Sequence, residues 1–265
     1  MAKEVSSVEQ LSSSRKKTRV KAPVRTIRCV SSYETRAREL GFTCIAGVDE
    51  VGRGCLFGPV FAAAVILNPL KPIQGLCDSK IIDADAREKL ARHIQSRSFA
   101  WAVGAADVFE IDQINIYQAS RLAMHRAVEA LPTRPDYLLI DALKLDLPIE
   151  QLPLIDGDAR CRAIAAASII AKVHRDECLR QWHEIFPQYN LASNKGYSTP
   201  DHRRALREHG PTLLHRWSFE PVRAGSSQVH WTGYINGDPT KNGQGENAAP
   251  DDGQLELLVT TETLA

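Results

Sequence analysis

The chain of 265 residues is 43% hydrophobic and 25% charged, a composition typical of one globular domain with room for short appendages. Its longest purely apolar run, residues 60–67, is far shorter than the ~20 residues that a membrane-spanning helix needs, and no apolar segment of signal-peptide form stands at its start. The six cysteines form no C-x-x-C pair. These features exclude a membrane-spanning protein and a disulfide scaffold, and they predict a soluble, cytoplasmic protein with free thiols.

The formal net charge of +1 hides opposite charges at the two ends of the chain. Residues 1–28 carry eight Lys or Arg and two Glu, a net charge of +6, whereas residues 223–265 carry a net charge of −4. We predict a basic arm over residues 1–35, one folded domain over 36–222 and an acidic tail over 223–265, with both ends disordered. The arm has two open interpretations: it adds nonspecific affinity for a phosphate backbone, or it is only a solvated segment.

Between the two ends, apolar segments of strand length alternate with helical patterns. We predict strands at residues 43–48, 60–67, 99–106 and 137–140. We predict helices at residues 83–98, 111–131 and 161–182. A shorter helix is expected with Thr199 as N-cap, Pro200 at its first position and Gly210 after its last turn.

The order of these elements predicts the class of fold. A hairpin comes first, and helices then alternate with strands, which is typical of a mixed α/β sheet. Residues 164–170 are too apolar to face water on any side, so the helix that contains them is expected to be buried.

Carboxylates follow the predicted strands. Asp49 and Glu50 follow the first strand, Asp141 follows residues 137–140, and Asp158 follows an apolar stretch at 152–155. In a continuing strand Asp49 and Glu50 would point to opposite faces, so we expect a turn directly at this point. Carboxylates at neighbouring strand ends can converge and suit Mg²⁺ or Mn²⁺, although each one alone is more often a turn residue or a helix cap.

Two other binding motifs are considered and set aside. A dinucleotide fingerprint over the glycine turn at residues 52–54 would need glycine at position 57, where the chain has Phe57. His174 and Cys178 are four residues apart on a helix, with Cys161 and His183 nearby in sequence, and could face one zinc ion. Because C-x-x-C spacing is missing, we interpret His174 and Cys178 as residues packed on a helix face.

Five motifs, in this order, resemble those of prokaryotic ribonuclease HII. They are Gly-Val-Asp-Glu-Val-Gly-Arg-Gly at 47–54 with Gly-Pro-Val at 58–60, Asp-Ser-Lys at 78–80, the alanine-rich helix at 165–176, Lys-Gly-Tyr-Ser-Thr-Pro-Asp-His at 195–202, and His-Arg-Trp-Ser-Phe at 215–219. The resemblance covers roughly residues 43–222. The related ribonuclease HIII usually has lysine in place of Arg53 and an added N-terminal domain, for which the stretch before Thr43 is too short and too polar.

This resemblance implies a ribonuclease H-like mixed sheet flanked by helices, with a small C-terminal helical extension and residues 36–222 as the catalytic domain. It implies a metal-dependent endonuclease that cuts the RNA strand of RNA–DNA hybrids and also cuts at ribonucleotides embedded in duplex DNA. The implied two-metal mechanism leaves 5′-phosphate and 3′-hydroxyl ends. No obligatory protein partner is evident from the sequence.

The resemblance also assigns roles to residues. The catalytic metal ligands, for two ions of Mn²⁺ or Mg²⁺, would be Asp49, Glu50, Asp141 and Asp158. The nucleic-acid-binding residues would be Gly52, Arg53, Gly54, Ser79, Lys80, Lys172 and Tyr197. Within this set, the glycine turn and Tyr197 would grip the nucleotide whose 2′-hydroxyl marks the cut, Ser79 and Lys80 would contact phosphate, and Lys172 would support the site. The chain departs from the family after Asp141, where the family often has glycine.

Two alternatives stay open at this point. One is a hybrid-binding module without catalytic activity, and the other is a different metal nuclease on the same fold, such as an integrase or resolvase type. Cleavage assays on an RNA–DNA hybrid, duplex DNA and branched DNA would separate these functions.

Overall fold

The computed structural model describes residue 29, residues 31–76 and residues 82–226. The basic arm over residues 1–28, most of the acidic tail, and the predicted phosphate contacts Ser79 and Lys80 lie outside the described residues.

The described residues build a five-stranded mixed sheet. Its strands are β1 (Ile45–Val51), β2 (Val60–Ile66), β3 (Ala100–Ala106), β4 (Tyr137–Asp141) and β5 (Glu150–Leu154). They lie in the order β3-β2-β1-β4-β5, with antiparallel pairing from β1 to β2 and from β2 to β3, and parallel pairing from β1 to β4 and from β4 to β5. The predicted mixed α/β sheet is confirmed.

Helices cover both faces of this sheet. The α-helices of the described residues are α1 (Ser32–Glu39), α2 (Ala84–Arg97), α3 (Val108–Glu129), α4 (Gly157–Arg160), α5 (Arg162–Ile185), α6 (Leu191–Asn194), α7 (Pro200–His209) and α8 (Glu220–Ser226). Helix α3 packs on one face, where Ala123 and Ala127 meet Val48. Helices α2 and α5 pack on the other face. The hydrophobic core is therefore divided into two layers by the sheet.

Helix α5 lies very close to the centre of the sheet. A Cβ atom added to Gly47 on β1 would overlap the carbonyl carbon of Ala163, so only glycine permits this approach. As predicted, residues 164–170 are buried along their whole length. The close approach places the small residues of α5 directly against the face of β1 that carries Asp49.

Strand β1 does not turn where the sequence analysis expected. It continues through Asp49 and Glu50 to Val51, because β2 pairs with both positions, as Asp49 with Ala63 and Glu50 with Ala62. The turn begins at Gly52, whose φ of 93° is a left-handed conformation that favours glycine. The expectation of a turn directly at Asp49 and Glu50 is wrong.

Helix α3 begins earlier than predicted and is interrupted. Asp107 and Glu110 form a capping box that starts the helix at Val108, three residues before the predicted start. Asn115 has a φ of 67°, and its side-chain oxygen accepts hydrogen bonds from the N–H groups of Tyr117 and Gln118 at 3.0 and 3.2 Å. This side chain caps a new helical segment inside α3, which explains the kink.

Helix α1 extends the folded domain toward the N-terminus. It begins at Ser32, so the predicted boundary between residues 35 and 36 falls inside the helix. Glu34 is buried and accepts a hydrogen bond of 2.8 Å from the N–H of Ala163, in the first turn of α5. The side chain of Cys161, the N-cap residue of α5, makes no capping bond, and Glu34 serves in its place.

The C-terminal helices form the extension that the resemblance implied. Helix α7 begins at Pro200, with the Thr199 hydroxyl accepting a hydrogen bond from His202 N–H, and ends before Gly210, as predicted. A buried cluster joins this extension to Leu56 and Phe57 beyond β1. Within the described part of the chain, no helix is long and apolar enough to cross a bilayer. The five cysteines within the described residues form no disulfide, in agreement with the prediction.

Candidate active site

Three carboxylates meet where β1 and β4 end. Ligand oxygens of Asp49, Glu50 and Asp141 all lie within 4.8 Å of one another. The parallel register pairs Val48 with Ile140, so Asp49 and Asp141 are the next residues on the two strands and point to the same face. The predicted convergence of these three residues is confirmed.

Glu50 reaches this group although it alternates with Asp49 along the strand. The register between β1 and β4 ends at Val48 and Ile140, so no β4 residue pairs with β1 beside Glu50. A glutamate side chain is one methylene longer than an aspartate and can bend around this open strand edge. The reach of Glu50, and not a turn in the backbone, brings its carboxylate to the site.

Asp158 lies near the three carboxylates but outside the 4.8 Å group. It is buried on α4, which follows Asp156 in a left-handed conformation. Its charge helps to raise the pKa of Asp49, so it lies close to that carboxylate. The N–H of Gly157 donates a hydrogen bond of 2.7 Å to Asp141, which fixes the start of α4 against the group.

The electrostatics of the group favour a bound cation. Burial raises the pKa of Asp49 well above its usual range, the charges of Glu50 and Asp141 raise it further, and a hydrogen bond from Ser168 opposes the rise. Burial also raises the pKa of Glu50, while Arg53 counteracts this effect. Like charges held together in a buried place repel one another, and a divalent cation would offset that repulsion.

The donor atoms of the group fit a hard divalent cation. Carboxylate oxygens are the ligands that Mg²⁺ and Mn²⁺ prefer. The Oε2 atom of Glu50 is buried and, among the described residues, has no hydrogen-bond partner. A buried acceptor without a partner is costly unless a ligand satisfies it, so the residues present suit a metal site.

Four of the predicted nucleotide-binding residues, Gly52, Arg53, Gly54 and Tyr197, lie close to one another. Cys55 and Tyr197 form an isolated antiparallel bridge, and Leu56 N–H donates to the carbonyl of Gly196 at 2.7 Å. A Cβ atom added to Gly54 would lie 4.0 Å from Cε1 of Tyr197, whose side chain stays 42% exposed. The turn at residues 52–54, in which Gly52 is buried and Arg53 and Gly54 are exposed, therefore forms one surface with Tyr197, here called the reading platform.

Two charged residues of the predicted set have partners within the protein. Arg53 extends from the reading platform, and its Nη1 atom lies 3.3 Å from Oε1 of Glu50. The Nζ atom of Lys172 lies 2.6 Å from Oδ1 of Asp176, and burial lowers the pKa of this lysine. Lys172 is thus tied to Asp176, one turn further along α5, and does not belong to the carboxylate group.

The residues considered for zinc have local roles. The Nδ1 atom of His174 lies 2.9 Å from the carbonyl of Ile170, and its ring lies beside Trp101. In the described part of the chain, the carboxylate group is the only cluster of three or more metal-binding side chains.

Several buried polar residues under the reading platform were not singled out from the sequence. Arg216 is fully buried and donates to the carbonyls of Arg53, Gly58 and Pro59 at 2.9, 2.9 and 3.1 Å. Burial lowers its pKa to about 10. It belongs to the closing His-Arg-Trp-Ser-Phe motif, so its membership of a motif was the signal, but nothing in the sequence showed what it contacts.

A second buried group, a histidine pair, reaches Tyr197 from the other side. Burial lowers the pKa of both His202 and His215, which favours neutral rings. His202 Nδ1–H donates to the carbonyl of Tyr197 at 3.0 Å, because a carbonyl can only accept. His202 Nε2 then accepts from His215 Nε2–H at 3.1 Å, and His215 Nδ1 accepts from Thr212 N–H at 2.9 Å. This chain of hydrogen bonds fixes the backbone that carries Tyr197.

The sheet has the arrangement of known ribonuclease H structures. The crystal structure of ribonuclease H2 from Pyrococcus horikoshii OT3 matches with a TM-score of 0.60 and 23% identity, over 69% of this chain and 97% of that chain. The fold and the carboxylate cluster together define a ribonuclease H-like protein with a centre suited to divalent metal.

Sequence comparison narrows this class. The family model for ribonuclease HII matches residues 46–222. The chain is 59% identical to ribonuclease HII of Solibacter usitatus (strain Ellin6076) over 199 residues, which cover 75% of this chain and 87% of that protein. It is 58% identical to ribonuclease HII of Koribacter versatilis (strain Ellin345) over 199 residues, 75% of this chain and 78% of that protein. The chain belongs to the ribonuclease HII family and is an endonuclease that acts on RNA–DNA hybrids.

Proposed function

We propose that this enzyme cuts the RNA strand of RNA–DNA hybrids and also cuts at single ribonucleotides embedded in duplex DNA. The products carry 5′-phosphate and 3′-hydroxyl ends. One observation carries the proposal: Val51 alone separates Glu50 of the carboxylate group from Gly52 of the reading platform. A proposed metal ligand and a turn that could read a 2′-hydroxyl are therefore neighbours along the chain. The cytoplasmic location expected from the cysteines is part of this proposal.

Asp49, Glu50 and Asp141 would hold the divalent cations, with Asp158 as the fourth carboxylate. When bound, two ions of Mg²⁺ or Mn²⁺ would activate the attacking water and stabilise the leaving 3′-oxygen. The protein keeps the ligands in place: Ser168 hydrogen-bonds to Asp49, and the Gly157 N–H donates to Asp141. No histidine or serine nucleophile is needed for this chemistry.

The reading platform supplies the choice of nucleotide. A ribonucleotide differs from a deoxyribonucleotide by its 2′-hydroxyl, which backbone groups of the turn at residues 52–54 can hydrogen-bond. The exposed ring of Tyr197 can stack against a sugar or base at the same place. Ser79 and Lys80 are proposed phosphate contacts, and Lys172 is proposed to support the site through its ion pair with Asp176.

A panel of three duplexes tests the proposed substrate range. The full-length protein is incubated with Mg²⁺ or Mn²⁺ and a long RNA–DNA hybrid, a DNA duplex with one ribonucleotide, or an all-DNA duplex of the same sequence. We expect cleavage of the first two and none of the third, with ligatable 3′-hydroxyl ends. Cleavage of the hybrid alone would contradict the proposed action on embedded ribonucleotides.

The variant Asp141→Asn tests the carboxylate group. We expect cleavage to fall below detection while the affinity for hybrid stays close to wild type, because the carboxylate serves the metal and the backbone is bound by cationic and amide donors. Asp146→Asn, an exposed carboxylate on the loop that follows β4, is the matched control and should keep full activity. An Asp141→Asn enzyme that cuts at a near wild-type rate would show that the site is misplaced.

A further inference from the structure

A buried arginine lies directly beneath the reading platform. Arg175, on α5, is only 1% exposed. Its Nη2 atom donates to the carbonyl of Lys195 at 2.6 Å and to the sulfur of Cys55 at 2.8 Å. These partners stand two residues before Tyr197 and one residue after Gly54, so a single guanidinium bridges the two halves of the platform.

The same guanidinium lies between the turn at Gly52 and the ring of Tyr197. A Cβ atom added to Gly52 would overlap Nε of Arg175, so the glycine turn rests on the guanidinium. On the other side, the guanidinium carbon lies 5.5 Å from the centroid of the Tyr197 ring, within the range of a cation–π contact. The position of Arg175 therefore determines how far the turn lies from the tyrosine ring.

The hydrogen bonding of Arg175 differs from that of an arginine with a purely structural role. Arg216, equally buried, uses Nε, Nη1 and Nη2 to donate to three carbonyls. In Arg175, Nε and Nη1 are buried and have no hydrogen-bond partner among the residues that the structure describes. Within the described part of the chain, the carboxylate paired with it, in Asp176, lies 3.9 Å from Nη1, which is beyond hydrogen-bond distance. A buried cation with two unused donors is costly to the fold.

We propose that Arg175 is a specificity-determining positioning residue that sets the spacing between the Gly52 turn and Tyr197, so that both contact the same ribonucleotide. The cost to the fold is retained because the guanidinium contacts the turn, the Tyr197 ring and the carbonyl of Lys195 at the same time.

This inference rests on the proposed action at embedded ribonucleotides, and cleavage ratios test it. The variants Arg175→Lys and Arg175→Met are compared with wild type on the single-ribonucleotide duplex and on the long hybrid. A lysine keeps the charge but cannot bridge two acceptors and support the turn, because it is a point charge on a flexible stem. We expect both variants to lower kcat/KM on the single ribonucleotide about tenfold more than on the hybrid, where many registers are available.

A control variant shows whether a loss of stability alone changes the ratio of cleavage rates. Ile94→Ala creates a cavity in α2, in the core between the sheet and α2, and should lower the melting temperature without changing the ratio of cleavage rates. A second measurement omits divalent metal and compares the affinity for the single-ribonucleotide duplex with that for the all-DNA duplex. Wild type should prefer the ribonucleotide, and the preference should shrink in both Arg175 variants.

The possible results distinguish failure of the proposed role of Arg175 from failure of the proposed function. If wild type leaves the single ribonucleotide uncut, the proposed function is wrong and the inference fails with it. If wild type cuts it and Arg175→Lys keeps the wild-type ratio and preference, the function stands and the inference is overturned. Should Arg175→Met not fold, the result with Arg175→Lys decides the matter alone.

Discussion

Ala142 stands directly after Asp141 in a left-handed conformation with a φ of 51°. The resemblance to ribonuclease HII leads us to expect glycine directly after the aspartate, and this chain has alanine instead. A Cβ atom in this conformation crowds the following carbonyl, which costs about 1–2 kcal/mol. The alanine therefore carries local strain beside the carboxylate group.

Replacing this residue by glycine should relieve the strain. We expect Ala142→Gly to raise the free energy of unfolding by about 0.5–1 kcal/mol, since part of the gain is offset by the greater freedom of glycine in the unfolded chain. Urea unfolding of the two proteins measures the change, and the exposed side chain of Ala142 makes loss of packing negligible. A glycine variant that is less stable than wild type would show that the backbone conformation is not strained.

Tyr197 supplies an exposed aromatic ring to the reading platform. We expect Tyr197→Ala to reduce cleavage at a single ribonucleotide about tenfold more than cleavage of a long hybrid, because a stacking contact is lost where only one register is available. The control is Tyr117→Ala, which removes a similarly exposed tyrosine from α3. An unchanged ratio with a lowered melting temperature would mean that Tyr197 only packs against the helix that begins at Pro200.

Among the elements, α1 supplies a cap to another helix, α5. Glu34 leaves this helix to accept the Ala163 N–H, and without it the first turn of α5 keeps an unsatisfied buried donor. We expect Glu34→Ala to lower the free energy of unfolding by about 1–2 kcal/mol.

The measurement for Glu34 is thermal or urea unfolding beside a control from the same helix. Glu39→Ala removes an exposed carboxylate at the last residue of α1 and should change stability little. Equal effects of the two substitutions would mean that Glu34 does not cap α5.

The sequence predicts the elements well where local chemistry sets them. Helix α7 was predicted at both ends, because Thr199, Pro200 and Gly210 are local signals. Helix α1 was missed, because its amphipathic pattern is short and its key residue, Glu34, acts on a segment 129 residues away. The kink at Asn115 was missed as well, since an asparagine within a helical pattern does not reveal whether its side chain will cap the backbone.

The residues of the candidate site also form two groups, those that the sequence predicts and those that it does not. Asp49, Glu50 and Asp141 could be predicted, because each follows a predicted strand and the first two also belong to a motif, although the turn expected for Glu50 is absent. Arg175, Arg216 and the histidine pair could not be assigned contacts. The two arginines bond to groups far away in sequence, such as Cys55 and Arg53, and the histidines bond to nearby groups that no local pattern reveals. Sequence patterns mark such residues but do not say what they touch.

For the whole molecule, the uneven distribution of charge is the feature that the fold does not explain. Residues 1–28, outside the described residues, carry a net charge of +6. We expect their removal to weaken hybrid binding without changing which bond is cut. The slope of log affinity against log salt should become less steep, by up to about five.

Binding measured between low and physiological salt tests this expectation. Removal of residues 227–265 is the matched control, because that tail is acidic and should not weaken binding. Unchanged affinity and slope after removal of the arm would leave it as a solvated segment.

The reading platform is assembled from opposite ends of the domain, and this has a consequence for synthesis. Leu56 bonds to Gly196, Gly58 to Leu214, and Arg216 to both Leu56 and Arg53, over separations of up to 163 residues. A nascent chain that has emerged as far as α5 already carries every carboxylate of the site, but it still lacks Tyr197, the histidine pair and Arg216. Closing so long a loop comes late in folding. On the ribosome, we therefore expect the reading platform to be completed last, after the segments that carry the carboxylates have emerged.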